Sequence, residues 1–218
     1  MKMITIFSIM LGIKLLVIST AIHAAPSGEI IVRQGNGKGA VACLSCHGER
    51  GQGNARAGYP YLAGQPVDYL IKQLEDFASN RRQNPIMQPF AKALTEDEIR
   101  AVAGYYASLP LPKTASSNNN RSSLAKGERL ATKGKWSVGI PACFQCHGEQ
   151  GQGVSPGFPA ISGQHESYIK KQLEHWREGE RSNDPLGLMQ AVVAGLDDAE
   201  IAAVSRYLAA QSPPPVVK

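Results

Sequence analysis

Two pentapeptides hold the chemistry available to this sequence: Cys43-Leu44-Ser45-Cys46-His47 and Cys143-Phe144-Gln145-Cys146-His147. Thiols three residues apart share one side of a helical turn, where each can add to one vinyl group of a porphyrin. The histidine beside the second thiol is then held under the iron as an axial ligand. Each motif sits in a longer matched string, CLSCHGERGQG and CFQCHGEQGQG, so coincidence does not explain the pair. The pattern predicts two covalently bound haem c groups. Cys43, Cys46 and His47 would hold one, and Cys143, Cys146 and His147 the other.

A haem held in this way needs a ligand on its far face, and methionine there raises the potential. Three of the five methionines lie in the first ten residues, which leaves Met87 and Met189. They follow His47 and His147 by 40 and 42 residues, just past Pro85 and Pro185. Methionine is often core filler. Filler would not recur once per motif at the same station, so both are read as iron ligands.

Other uses of these residues fit less well. A four-cysteine zinc ribbon needs its pairs about 15–20 residues apart, whereas these pairs are 100 apart and each is followed by histidine. A thioredoxin-like site needs a βαβ context, which the sequence lacks. His165 and His175 face Pro66 and Asp76 at the equivalent places, so they are read as solvated surface residues. Pro60 and Pro159 do match. They mark a turn, or a loop that offers a backbone carbonyl to the second ring nitrogen of the ligand histidine. Tyr69, Tyr105, Tyr168 and Trp176 read as core or haem-edge packing.

The positioning elements repeat as well. GEIIVRQG from Gly28 matches GERLATKG from Gly127, and GYPYLAGQ from Gly58 matches GFPAISGQ from Gly157. YLIKQLEDF from Tyr69 matches YIKKQLEHW from Tyr168. Leu70, Leu74 and Phe77 line one helix face, as do Ile169, Leu173 and Trp176. A closing helix repeats the pattern with Ile99, Val102 and Tyr106, then Ile201, Val204 and Leu208. Thr95 with Glu98, and Asp197 with Glu200, signal its start. The expected fold is all-α, with two tandem domains of a few helices around a covalent haem.

The boundaries follow from composition. Residues 1–25 read as a signal peptide, with Lys2, an apolar run and small residues to Ala25. Lys14 interrupts that run and argues against a membrane anchor. Residues 26–110 form domain 1 and 124–212 form domain 2. Residues 111–123 form a Ser/Asn-rich linker and 213–218 a proline-rich tail. Loss of the leader lowers the formal charge from +5 to +3. Four haem propionates would lower it further, so nucleic-acid binding finds no support.

With these residues in place, the chain resembles a two-haem class I cytochrome c, closest to the cytochrome c-four family. The resemblance spans residues 26–212. It rests on both C-x-x-C-H motifs, the GQG and P-x-x-x-GQ loops, the Y-x-x-K-Q-L helix and one late methionine per half. It implies two cytochrome c folds about a pseudo-two-fold axis in a periplasmic electron carrier that is not an enzyme. The implied partners are redox proteins: a quinol-oxidising complex or dehydrogenase as donor and a terminal acceptor such as an oxidase. No nucleic acid or small-molecule substrate is implied, and loose membrane association stays open. The alternatives are a dedicated dihaem subunit of a dehydrogenase complex and a dihaem peroxidase. A peroxidase needs one haem that can open a coordination site, against which two symmetric methionines argue.

Overall fold

The computed structural model describes residues 27–111 and 121–212. The expected signal peptide, the tail and most of the expected linker lie outside them. The described chain is helical, and its only β pairing is isolated bridges in loops. The first half holds α1 (Gly28–Gln34), α2 (Leu44–His47), α3 (Val67–Ala78), α4 (Met87–Lys92) and α5 (Glu96–Ser108). The second holds α6 (Arg121–Lys133), α7 (Cys143–His147), α8 (Glu166–Arg177), α9 (Leu188–Ala194) and α10 (Asp198–Ala209). The all-α expectation is met. Helix α6 takes in residues 121–123, which composition had placed in the linker. No proline or glycine stands between Arg121 and Gly127 to stop the helix from extending back from its buried positions.

The first and last long helices of each half cross closely: α1 on α5, and α6 on α10. Glycine permits the crossing. A Cβ on Gly28 would overlap the carbonyl of Ala101, and one on Gly127 would overlap that of Ala203. Ile31 and Val32 pack there against Val102, Ala103 and Tyr106. Leu130 and Ala131 meet Ile201, Val204 and Leu208 in the second half. Fully burying such an aliphatic side chain contributes roughly 1.5–3 kcal/mol. Helices α5 and α10 both begin with complete capping boxes, Thr95 with Glu98 and Asp197 with Glu200. These satisfy backbone donors at the helix start that would otherwise be unpaired.

The two halves meet through their matched loops. Gln65 spans Ala160, accepting from its N–H at 3.0 Å and donating to its carbonyl at 2.9 Å. Gln164 does the same to Tyr61, at 3.0 and 3.1 Å. Since 65 and 164 are equivalent, as are 61 and 160, the contact is two-fold symmetric. The Tyr61 hydroxyl donates to the Ser162 carbonyl at 2.9 Å. His165, expected at the solvated surface, instead donates from Nε2 to the carbonyl of Gln52 across the interface. His175 is partly buried, with Nε2 3.3 Å from Glu180.

Candidate haem sites

Each C-x-x-C-H motif forms a single helical turn. His47 N–H bonds the Cys43 carbonyl at 3.0 Å, which places the cysteines and the histidine on adjoining faces. The loop after each turn folds back on it: Gly53 N–H bonds the His47 carbonyl at 2.7 Å, and Gly153 N–H that of His147 at 2.8 Å. Both glycines have positive φ, +73° and +88°, and lie against the backbone of the proline loop. A side chain there would collide with that backbone and force a left-handed residue.

The proline loop orients the imidazoles. His47 Nδ1 lies 3.0 Å from the Pro60 carbonyl, and His147 Nδ1 lies 2.8 Å from that of Pro159. A carbonyl only accepts, so the proton is on Nδ1 and the lone pair on Nε2. Burial pushes both histidines below the ordinary imidazole range, partly offset by these bonds. A neutral ring presenting a lone pair is the form a metal binds. His47 Nε2 is buried and has no hydrogen-bond partner in the protein. Burial also raises Cys43 and Cys143 to about 11, so both begin as neutral thiols.

All eight residues singled out from the sequence line one continuous cavity: Cys43, Cys46, His47, Met87, Cys143, Cys146, His147 and Met189. Met87 opens α4, and Met189 is the second residue of α9. Each is held by a matched side chain. Asn84 Oδ1 accepts from Met87 N–H at 2.9 Å, and Asp184 Oδ2 accepts from Met189 N–H at 2.6 Å.

The cavity is also lined by two buried arginines, Arg82 (7 % exposed) and Arg181 (5 % exposed). Arg82 donates to Gln73, Tyr168 and Gln172 at 2.7–2.9 Å. Arg181 donates to Gln172, Gln73 and Asn183 at 2.8–3.1 Å. The guanidiniums also lie over matched rings, Arg82 4.7 Å from Phe77 and Arg181 3.9 Å from Trp176. Among the described residues no carboxylate pairs with either. Burial and the neighbouring Arg82 hold Arg181 below its ordinary value. Tyr69 is lowered despite its burial, because both arginines stabilise its anion. Buried cations without counterions call for an anion in the cavity. The propionates of haem meet that need, and Trp176 Nε1, a buried donor with no partner, adds to the donor set. Lone-pair imidazoles, paired thiols, thioethers, two buried guanidiniums and the unpartnered Trp176 Nε1 together fit haem c.

The paired packing of the halves is as the resemblance implies, but the residues that make the contact were not picked out by the sequence. Tyr69 and Tyr168 read as packing, and no role fell to Gln65, Gln73, Arg82 or their counterparts. The signal was present, since each polar residue recurs at a spacing of 99. Such a repeat of polar residues exceeds what a solvated face requires.

The geometry defines a two-domain, all-α protein with one cavity built to hold two covalent haems. The Cytochrome c family pattern matches residues 35–110 and again 124–212. The chain is 41 % identical to "Thiosulfate dehydrogenase electron acceptor" of Stutzerimonas stutzeri, over 91 % of this chain and 92 % of the relative. It is 44 % identical to cytochrome c4 of Thiocapsa roseopersicina, over 80 % and 89 %. A solved thiosulfate dehydrogenase from Marichromatium purpuratum superposes with a TM-score of 0.78 at 37 % identity, over 84 % of this chain. The chain spans only 39 % of that longer protein. The chain belongs to the cytochrome c family, as a dihaem protein of the cytochrome c4 kind. It carries covalently bound haem c and transfers electrons.

Proposed function

We propose that the chain is an exported, periplasmic carrier whose two cytochrome domains, residues 26–110 and 124–212, each hold one six-coordinate haem. Cys43 and Cys46 attach the first and Cys143 and Cys146 the second. His47 with Met87, and His147 with Met189, would hold the two irons. The placement of all eight around one cavity supports this reading most directly. Haem iron supplies a one-electron change when bound. The residues of the chain fix the imidazoles through Pro60 and Pro159, keep water from the ligands and compensate the propionates with Arg82 and Arg181. With a histidine and a methionine both bound, the iron would offer no position to a substrate and would need little rearrangement on reduction. This supports a carrier over a peroxidase. Among the described residues no helix is long and apolar enough to cross a membrane.

The relatives favour a dehydrogenase, of the kind that oxidises thiosulfate, as donor over a quinol-oxidising complex. A terminal acceptor such as an oxidase would take the electrons onward. The match to part of a longer thiosulfate dehydrogenase favours one further reading, a dedicated subunit of such an enzyme. Copurification of an enzyme chain at fixed stoichiometry supports the subunit; a protein isolated alone and reduced rapidly by the dehydrogenase supports the carrier.

The ligand set is tested by redox titration with visible spectra. Met189→Ala should open the second haem to carbon monoxide and lower its potential, within the roughly 0.8 V over which axial ligands set haem potentials. Met87→Ala should do so at the first haem. Rapid carbon monoxide binding or efficient peroxide turnover by the unmutated protein would sink the carrier reading.

A further inference from the structure

The loops that orient the two ligand histidines are also the loops that join the domains. Pro60 C=O and Tyr61 N–H belong to one planar peptide group. His47 Nδ1 donates to its oxygen at 3.0 Å, and Gln164 Oε1 accepts from its N–H at 3.0 Å. The same holds at the symmetric place. His147 Nδ1 donates to Pro159 O at 2.8 Å, and Gln65 Oε1 accepts from Ala160 N–H at 3.0 Å. Each peptide therefore has a ligand histidine of its own domain on one side and a glutamine of the other domain on the other.

The orientation of both glutamine amides is fixed by their partners. An N–H only donates and a carbonyl only accepts, so Oε1 faces the N–H and Nε2 the carbonyl. Both side chains are buried, 3 % exposed for Gln65 and 5 % for Gln164, so water cannot take their place. We propose that Gln164 is a positioning residue for the first haem and Gln65 for the second, each acting across the domain interface. The proposal rests on His47 and His147 being the iron ligands.

The physical link is hydrogen-bond cooperativity. An acceptor on a peptide N–H draws electron density onto the carbonyl of the same peptide, making it a better acceptor; chains of this kind strengthen each bond by about 10–30 %. The stronger Pro60 carbonyl draws harder on the Nδ1 proton of His47. The ring becomes a stronger donor through Nε2, which favours the ferric state. Loss of the glutamine acceptor should therefore raise the potential of the haem in the opposite domain. The arrangement also ties the domains together: residues 60–65 hold both the peptide behind His47 and the clamp on the peptide behind His147. A redox change that alters one histidine bond acts on the loop that supports the other.

The test uses the holoprotein and the variants Gln164→Leu and Gln65→Leu. Proton NMR during redox titration separates the two haems. Gln164→Leu should raise the potential of the His47 haem more than that of the His147 haem, and Gln65→Leu should do the reverse. The ligand Nδ1–H resonances of the reduced protein should shift in the same crossed pattern. Gln164→Glu keeps an acceptor oxygen and should not raise the His47 haem. If leucine prevents folding, Gln164→Met and Gln65→Met remove the same acceptor from an unbranched chain and are read the same way. Equal shifts at both haems, a larger shift in the variant's own domain, or no shift overturns the trans arrangement. Absence of the ligand imidazole signals of His47 and His147 from the spectra of the unmutated protein overturns the ligand assignment instead.

Discussion

Asp76 shows how one side chain can break the internal symmetry. Its carboxylate is 1 % exposed and takes bonds from Lys72, from Arg81 at 2.8 Å and from Asn183 of the other domain at 2.6 Å. Lys72 also donates to the Asn183 carbonyl at 2.7 Å. Burial pushes the Asp76 carboxyl up, but the bonds from Lys72, Asn183 and Arg81 outweigh it and hold the group below the ordinary carboxylate range. The sign follows: its contribution to stability is complete above the unfolded value of about 3.9 and is lost as pH falls through the lower folded value. Asp76→Asn should cost about 1–3 kcal/mol at neutral pH, the worth of hydrogen bonds to a buried charge. The gap to the unmutated protein should narrow below about pH 4. Denaturant titrations across pH measure it; a gap that widens on acidification would contradict the assignment. At the equivalent place His175 pairs within its own domain, with Glu180.

At the scale of elements, the helix crossings carry the clearest prediction. Gly28→Ala pushes a methyl group into the Ala101 carbonyl of α5, and Gly127→Ala pushes one into the Ala203 carbonyl of α10. Backbone cannot rotate aside as a side chain can, so each should cost about 2–3 kcal/mol. Thermal unfolding should show both variants destabilised, while Gly104→Ala on α5, where added atoms meet open space, should not be. Most of the helical framework was legible in the chain. Apolar residues at i, i+4 and i+7 mark α3 and α8 because one face of each is buried, and the capping boxes of α5 and α10 are local signals. The haem motifs were legible because cysteines and histidine must be adjacent along the chain. The glutamine and arginine contacts were not. Gln65 and Arg82 are bonded to residues 95 and 86 positions away, and hydropathy alone gives no sign that a polar side chain is buried against a second domain. Helix α6 begins three residues before Leu124, in a stretch that reads as linker because Arg121, Ser122 and Ser123 carry no apolar periodicity.

For the whole molecule, the contacts between the halves should make them behave as one body. Each is small for a self-sufficient core. The interface buries Gln65, Gln164, Arg82 and Arg181, all of which lose partners if the halves part. The holoprotein should therefore unfold in one calorimetric transition, with calorimetric and van't Hoff enthalpies equal. Separate transitions would show that the domains are independent. Sharing a cavity should also couple the haems: a charge placed at one iron disfavours the same charge at the other, so reduction should spread over two steps. A titration fitted by one potential would count against this.

The reciprocal glutamine clasp is what a pair of identical subunits would make. In a true homodimer every substitution appears on both sides of the axis, so neither side can specialise alone. Joining the two copies in one chain removes that constraint. Asp76 can differ from His175, and the second half can carry two extra residues, Leu186 and Gly187, before its methionine. Leu186 is 96 % exposed and left-handed, with φ of +61°, and it has no counterpart in the first half. The two ends of the molecule therefore differ, and a partner can tell one from the other, which it could not do with a fully symmetric pair.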